Sequence, residues 1–362
     1  MSNLRAITVF TILILLLTSP TILMNTVSAS SQTTITIIVK TKEDLPLKNA
    51  IVSVNGTIWG KTDSYGKITH TYDRMVNACE IQVFYVFNGY NLSVFGPKIR
   101  NAAEEIPITV NVVKDWAIYV WDHAGRDLVP NANVTIIWRE DPLLNFSKLT
   151  GSDGKAVFEI IPYGSYDITV KYGSLETYKE NIIPFEEENI ILPLYRVTLK
   201  ILDKKGSPVK DVEVQLLKDD GEPLAMVTSD ENGEAVFKLI PKGSYYVAAY
   251  LKGIKVYQSE DKEISVTAND VSKTIVISAA KLNITVYDYD GEERISKYKL
   301  IGKLIREGEV VGEAETSDGI LRFGHTPFAN YTLKIFIGDL EVYSSPYEVN
   351  LDTIEKSIKA WF

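Results

Sequence analysis

The sequence predicts an all-β protein, built as a tandem array of four β-sandwiches that follow an N-terminal signal peptide. Short strands with alternating apolar and polar residues recur along the chain. A turn that ends in glycine also returns four times, at Gly66, Gly154, Gly233 and Gly319. These glycines stand roughly eighty residues apart, which is close to the length of one small β-sandwich. Apolar residues at helical spacing are missing from every long stretch of the mature chain, so we expect no helical domain.

The first 29 residues predict a cleavable signal peptide. Arg5 is the only charge before an apolar run that begins at Ala6, and the small residues Val27-Ser28-Ala29 follow it, so we expect cleavage after Ala29. The alternative is a retained transmembrane anchor, because the apolar stretch up to Met24 is nearly long enough to span a bilayer. Polar residues and a proline interrupt that stretch, which favours cleavage and leaves no membrane span in the mature chain.

Alternating strands open the repeats. Ile35, Ile37 and Val39 alternate with polar residues in the first repeat, and the same pattern begins again at Val197 and Leu282. Successive repeats adjoin with almost no linker, so we expect the sandwiches to form a stiff rod. The predicted segments are a signal peptide (1–29) and sandwiches at 30–114, 115–194, 195–279 and 280–362.

Two further markers recur in order within the repeats. The first is the segment Pro46-Leu47-Lys48-Asn49-Ala50-Ile51-Val52, which returns as Pro208–Val214 and, in shorter form, as Val129–Val134. The second is Phe158-Glu159-Ile160-Ile161-Pro162-Tyr163-Gly164-Ser165-Tyr166, which returns as Phe237–Tyr245.

The outer repeats diverge from the second marker. The fourth keeps Phe323, Pro327 and Tyr331 but has Ala329 at the glycine position. In the first, the strand register puts Cys79 at the inward position that tyrosine occupies elsewhere, which predicts a buried and unreactive thiol.

Together these markers resemble carboxypeptidase-regulatory-like repeats, which are grouped with transthyretin-like and Cna B-type surface domains. The resemblance spans residues 33 to 361 and is strongest in the third unit. It implies seven-stranded, prealbumin-like or Ig-like sandwiches that serve as spacers, stalks or adhesive modules of secreted proteins. Peptidase activity is not implied, because the catalytic domain of that family is a separate piece. Cna B-type domains often carry a Lys–Asn crosslink assisted by an acidic residue; Lys200 lies on a first strand, but no matching glutamate follows on the tyrosine strands, so we do not expect a crosslink.

The sequence offers little catalytic or metal-binding chemistry. Its three histidines fall in three different units, there is one cysteine, and no zinc-type spacing, nucleophile elbow or phosphate-binding loop occurs. We therefore expect a non-enzymatic protein that needs no cofactor or metal. Asp288-Tyr289-Asp290-Gly291 and Asp230-Glu231-Asn232-Gly233 resemble fragments of calcium loops, but neither continues to an acidic closing ligand, and hairpin turns account for both.

Glycosylation and sugar stacking are the candidate site features. Trp116 and Trp138 in the second unit are candidates for a sugar-stacking face, although the register of Trp121 with Tyr119 favours a core position for at least part of this group. Asparagines at three acceptor triplets alternate with inward residues and should point outward, where a glycan can attach. The six acceptor triplets begin at Asn55, Asn91, Asn133, Asn145, Asn283 and Asn330.

These observations predict a secreted or cell-surface glycoprotein with a structural or adhesive role: a spacer, an envelope-associated component or a filament subunit. Its partners would be other envelope or surface proteins, further copies of itself, or carbohydrate. A net charge of −9 argues against nucleic acid. Scarce cysteine and methionine suggest a thermophilic source. The alternative function is a soluble extracellular carbohydrate- or peptide-binding module accessory to an exported enzyme or transporter.

One assembly mechanism also follows from the sequence. The strand Thr33–Lys40 is rich in β-branched residues and could be donated to a neighbouring subunit. The simpler interpretation is that it forms the first strand of its own domain.

Overall fold

The computed structural model describes residues 32–184 and 187–361, and within these ranges every regular element is a β-strand. This confirms the predicted all-β class. No helix long and apolar enough to cross a membrane occurs in the described part of the chain. The predicted signal peptide, its cleavage site at Ala29 and the alternative membrane anchor all lie outside the described residues.

The strands fall into four successive sandwiches. The first contains β1 (Thr33–Lys40), β2 (Ile51–Val54), β3 (Thr57–Lys61), β4 (Lys67–Tyr72), β5 (Ala78–Phe87), β6 (Tyr90–Asn101) and β7 (Glu105–Thr109). The second contains β8 (Val112–Trp121), β9 (Asn133–Trp138), β10 (Asn145–Leu149), β11 (Lys155–Pro162), β12 (Tyr166–Tyr172), β13 (Leu175–Ile182) and β14 (Glu188–Ile191). The third contains β15 (Leu194–Leu202), β16 (Glu213–Leu217), β17 (Pro223–Thr228), β18 (Glu234–Pro241), β19 (Gly243–Leu251), β20 (Ile254–Gln258), β21 (Ile264–Val266) and β22 (Val271–Val276). The fourth contains β23 (Ala279–Tyr287), β24 (Leu300–Arg306), β25 (Glu309–Thr316), β26 (Ile320–Pro327), β27 (Ala329–Ile337), β28 (Leu340–Val349) and β29 (Glu355–Lys359).

All four sandwiches share one topology. In each, the first strand lies at the centre of a three-stranded sheet, between the fourth strand and the last, as in the order β4-β1-β7. The opposing sheet orders the third, second, fifth and sixth strands, as in β3-β2-β5-β6. The first and last strands are parallel to one another. The third sandwich departs from seven strands because the short β21 adds to one end of β19.

Strand β1 belongs to its own sandwich. It pairs with β4 on one side and β7 on the other, and the side chains of Ile35, Ile37 and Val39 are fully buried. Because both edges of the strand are already paired, the structure supports the simpler interpretation of β1 rather than its donation to a neighbour.

The chain divides into two compact units. One comprises the residues up to Lys114 together with Ile161–Tyr163, and the other comprises Asp115–Ile160 and Gly164–Phe362. The larger unit contains separate apolar cores, one running from Tyr195 to Ala279 and the next from Ala280 to Ala360. The detailed segment bounds given above stay predictions.

A buried hydroxyl explains the proline-led marker. Thr150 Oγ1 donates a hydrogen bond to the carbonyl of Val129 at 2.7 Å and accepts one from the amide of Ala132 at 2.8 Å. Thr62 and Ser229 make the equivalent pair of bonds in the first and third sandwiches. The hydroxyl thus closes the loop between the first two strands. In the divergent fourth sandwich, the corresponding Thr316 donates instead to Asp318.

The tyrosine that ends the second marker is an inward residue. The hydroxyl of Tyr245 donates to the carbonyl of Pro241 at 2.9 Å, and Tyr331 makes the same bond to Pro327. In the first sandwich Cys79 occupies this position and is 1% exposed, so the predicted buried cysteine is confirmed. Burial raises the pKa of its thiol.

Candidate functional site at the joint between two sandwiches

The second and third sandwiches meet with almost no linker. Strand β14 ends at Ile191 and β15 begins at Leu194. Between them, the amide of Leu192 donates to the carbonyl of Trp121, and the amide of His123 donates to Leu194 at 3.1 Å. Leu192 and Leu194 are both fully buried. The connection is therefore packed against the loop that follows β8.

Asp270 of the third sandwich binds this loop of the second. Its Oδ1 accepts hydrogen bonds from His123 Nε2 at 3.0 Å and from the amide of Arg196 at 2.8 Å, and its Oδ2 contacts the guanidinium of Arg126. Burial alone would raise the pKa of Asp270, but these hydrogen bonds stabilise the charged form and lower the pKa to about 2. The carboxylate therefore stays ionised over the ordinary pH range.

Asp127 makes the reciprocal contact from the second sandwich. Its Oδ2 accepts from Arg196 Nη2 at 2.6 Å, and its Oδ1 lies 2.9 Å from Lys238 Nζ. The side chain of Asp127 is only 11% exposed. Burial opposes ionisation, yet the bonds from Arg196 and Lys238 hold the pKa of Asp127 below its usual value. Each sandwich thus places one aspartate against cations of the other. We call the six side chains that meet here the ionic joint: His123, Arg126, Asp127, Arg196, Lys238 and Asp270.

A third aspartate, Asp122, holds the loop that carries Arg126 and Asp127. Asp122 is buried, and its Oδ1 accepts from the amide of Arg126 at 2.7 Å and from that of Asp127 at 3.3 Å. Asp203 and Asp288 close the corresponding turns of the next two sandwiches through backbone amides. The turn is therefore a feature of the repeat, and the second sandwich uses it to orient the joint.

In the two segments that resemble calcium loops, the carboxylates of Asp230 and Asp288 also accept hydrogen bonds from backbone amides of their own turns. Asp230 Oδ1 accepts from the amides of Asn232 and Glu234 at 2.9 and 2.8 Å, which lowers its pKa. Asp288 binds the amides of its own turn. No group of three or more metal-ligating side chains is found in the described part of the chain.

Sequence reasoning missed the ionic joint because its partners are far apart in the chain. Asp270 and His123 are separated by 147 positions, and Arg196 and Asp127 by 69. The loop after β8 carries Arg126 and Asp127 behind its aspartate turn, but the turns after β15 and β23 are also charged, so the local sequence does not single this loop out.

Trp116 and Trp138, the candidates for a sugar-stacking face, do not form an exposed aromatic surface. Trp116 is 4% exposed, and its ring packs 5.6 Å from that of Tyr166, so it is a core residue and cannot form an exposed stacking face. Trp138 is half-buried beside Gly164, where an added Cβ would lie 2.2 Å from the indole nitrogen. The glycine of the second marker therefore makes room for this indole in the second sandwich.

An outward aromatic pair lies elsewhere on the second sandwich. Tyr119 and Trp121 are both half-buried on the outer face of β8, with ring centroids 6.4 Å apart. Trp121 Nε1 donates to Asn189 Oδ1 at 2.8 Å, and Lys155 Nζ lies 5.3 Å from the Tyr119 ring centroid. The expectation that at least part of the tryptophan group lies in the core holds for Trp116, whereas Trp121 faces outward because the inward residues of β8 at this point are Ile118 and Val120.

The acceptor asparagines differ in their surroundings. Five are exposed and Asn283 is half-buried on the central strand β23. Asn55 Oδ1 accepts from the amide of Glu80 at 2.8 Å, and Asn145 Nδ2 lies 3.4 Å from the carbonyl of Leu143. Occupancy of all six stays a prediction; the exposed five are Asn55, Asn91, Asn133, Asn145 and Asn330.

Lys200 does not sit in a crosslinking environment. Its ammonium lies 3.7 Å from Glu234, and its backbone neighbour on the parallel strand β22 is Thr274. Strand β22, Val271–Val276, contains no asparagine or aspartate. A Lys–Asn bond across this strand pair has no acceptor.

Comparison with known proteins identifies a domain type for one part of the chain. Among solved structures, the chain is similar to the Bacillus anthracis TIE protein, with 13% identity over 91% of this chain and 67% of that one and a TM-score of 0.22. It is also similar to a streptococcal ancillary pilin (14% identity, 68% and 99% of the two chains, TM-score 0.27) and to BcpA, the major pilin subunit of Bacillus cereus (14%, 68% and 99%, TM-score 0.23). Because these TM-scores are low, the similarity indicates neither how the sandwiches are arranged nor what the chain does.

No curated protein matches the sequence. The family described as "SpaA: Prealbumin-like fold domain" matches residues 196–283. This range covers the third sandwich from Arg196 onward and runs into β23. It agrees with the resemblance to transthyretin-like and Cna B-type domains, whereas the finer resemblance to carboxypeptidase-regulatory-like repeats stays a prediction. Residues 196–283 are therefore similar to the prealbumin-like domain of the SpaA family.

Proposed function

We propose that this chain is an exported, non-enzymatic structural protein of the cell surface, in which successive β-sandwiches serve as a spacer or as part of an envelope layer or filament. The observation that carries the proposal is the ionic joint. The two sandwiches are joined by two residues, and each places an aspartate against cations of the other, so we expect the joint to resist bending. A fixed joint of this kind serves a protein that must hold a distance or transmit a force.

The prealbumin-like match supports the same proposal. Domains of this type, as the sequence resemblance implies, serve as spacers and adhesive modules of surface proteins. The partners proposed on this basis are other envelope or surface proteins and further copies of the chain.

The test is light scattering and negative-stain imaging of residues 30–362 over a concentration series. Filaments or sheets that grow with concentration would support an assembling surface protein. Extended monomers at every concentration would support a spacer and contradict the filament role. Amino-terminal sequencing of the exported chain tests the expected start at Ser30, immediately after Ala29.

A second candidate function is extracellular carbohydrate binding by the second sandwich. The observation that favours it is the half-buried, outward-facing pair Tyr119 and Trp121, which offers aromatic surface next to Asn189 and Lys155. Titration with soluble oligosaccharides, followed by tryptophan fluorescence, tests it. Trp121→Ala should abolish a signal from this face, and Tyr178→Ala, an exposed aromatic on β13, is the matched control.

A further inference from the structure

An open cleft of about 970 Å³ lies between the third and fourth sandwiches. The hairpin tip Lys252–Lys255 forms one wall, and the facing ends of β24, β25 and β27 form the other. Its volume is at the upper end of the range of about 300–1,000 Å³ that small-ligand sites occupy, and such sites favour domain boundaries. The cleft can therefore hold several linked sugar residues.

The lining suits a sugar chain. Lys252, Arg306 and Glu309 bring hydrogen-bond donors and acceptors to the cleft, while Val311 and Phe328 bring partly buried apolar surface. Sugars present hydroxyl groups at their edges and apolar C–H surfaces on their faces. A wall that mixes charged groups with apolar side chains can contact both.

An acceptor triplet for N-linked glycosylation opens onto this cleft. Asn330, Tyr331 and Thr332 are the second to fourth residues of β27, and all three line the cleft. Tyr331 points inward and donates to the carbonyl of Pro327, whereas Asn330 is exposed on the outward side of the strand, opposite Glu348. The alternation of the strand therefore sends the asparagine side chain to the surface at the edge of the cleft.

We propose that Asn330 carries an N-linked glycan that occupies this cleft and restrains the third sandwich against the fourth. The sugar donor is a lipid-pyrophosphate-linked oligosaccharide of the export pathway. A bond forms between Asn330 Nδ2 and the anomeric carbon as the anomeric carbon–oxygen bond to the lipid pyrophosphate breaks, and the displaced Nδ2 proton passes to base. The proposal depends on the export part of the proposed function but not on assembly.

A restraint at this position would add to direct contacts between the same two sandwiches. Lys205 Nζ lies 3.2 Å from Glu355 Oε1, and His325 Nε2 lies 3.3 Å from the buried carboxylate of Asp203. These contacts tie the sandwiches through the loop after β15. A glycan at Asn330 would act on the hairpin tip that faces β27, a different part of the boundary.

The first measurement is peptide mass spectrometry of the chain exported by a host that performs N-glycosylation. We expect a sugar mass on the peptide that contains Asn330, loss of that mass in Asn330→Gln and in Thr332→Ala, and its retention in Thr332→Ser. An exported chain with an unmodified Asn330 would overturn the inference while leaving the export proposal intact. A chain that is not exported at all would overturn both.

The second measurement tests whether the sugar fills the cleft. An amine-reactive ester should label Lys252 severalfold more slowly in the glycosylated protein than in Asn330→Gln, because the glycan covers the ammonium. Lys98, in the first sandwich, should react equally in both proteins, and Asn133→Gln should leave Lys252 labelling unchanged. Equal labelling of Lys252 with and without the glycan would show that the sugar points to solvent and would overturn cleft occupancy.

Discussion

Arg196 Nη2 at the start of the third sandwich lies 2.6 Å from Asp127 Oδ2 of the second, while the backbone amide of the same arginine donates to Asp270 at 2.8 Å. One residue therefore contacts both aspartates of the ionic joint. Lys238, which like Arg196 belongs to the third sandwich, also contacts Asp127. His123 and Arg126 of the second sandwich contact Asp270. Asp127 and Arg196 are 11% and 29% exposed, so removing one of the two charges leaves the other poorly solvated.

Replacement of Asp127 by Asn should loosen the joint. The change leaves the guanidinium of Arg196 without its charged acceptor in a partly buried site, which should cost about 1–3 kcal/mol of unfolding free energy. Calorimetry of the full chain measures the loss. Asp219→Asn, which removes an exposed ion pair with Lys262, is the control and should change stability by less than about 0.5 kcal/mol. Equal effects of the two variants would contradict the role assigned to the joint.

The contribution of Asp270 should depend on pH in a defined window. Its folded pKa of about 2 lies below the ordinary value of 3.8, so the stabilisation is fully present above pH 4 and is lost as the pH falls toward 2. The denaturation midpoint of the wild-type protein should therefore exceed that of Asp270→Asn above pH 4. The difference should shrink as the pH falls through this window. A difference that stays constant between pH 5 and pH 2 would show that the carboxylate charge is not the cause.

The buried hydroxyl that closes the first loop should matter in each sandwich that has it. Thr150→Val keeps the shape of the side chain but removes the bonds to Val129 and Ala132, leaving a buried carbonyl and amide unpaired. We expect a loss of about 1–3 kcal/mol. Thr135→Val, which removes a surface bond to Ser147, is the matched control and should have a much smaller effect. Urea titration of both variants measures the difference.

Gly233 should resist replacement for a steric reason beyond its backbone conformation. Its φ is +75°, and an added Cβ would lie 2.5 Å from the carbonyl oxygen of Ile201. Gly221 has a similar φ of +81° but has nothing within 4 Å of the Cβ position. Ala at Gly221 should cost about 1 kcal/mol from backbone strain alone, and Ala at Gly233 should cost clearly more. Thermal unfolding of the two variants separates the clash from the strain.

The thiol of Cys79 should be unreactive in the folded protein. Burial removes access to the sulfur and raises its pKa, so little thiolate is present at neutral pH. A thiol-reactive dye should label the native chain very slowly and the guanidinium-unfolded chain rapidly. Fast labelling under native conditions would show that the strand β5 opens or that the side chain faces outward.

Local patterns in the sequence were sufficient to predict the repeating elements. The alternation of Ile35, Ile37 and Val39 indicated a buried strand face, and register alone placed Cys79 in the core, because side chains of a strand alternate between two faces. The same reasoning predicted a core position for part of the tryptophan group, but it did not show that Trp116 is the buried member and that Trp121 faces outward. It could say that neighbouring residues face opposite ways, but not which face would be covered by the second sheet.

The all-β class, the repeat and the turns could be predicted from the amino-acid sequence, since they depend on residues close together in the chain. The pairing of Asp127 with Arg196 and of Asp270 with Arg126 across two sandwiches, and the position of Asn330 at a cleft, are visible in the folded chain alone. Those relationships join residues brought together by the packing of whole sandwiches, as in the 147-position separation of Asp270 and His123. Ion pairs at such distances leave no periodic signal, because a charged residue in a loop has the same local pattern whether it meets water or a partner.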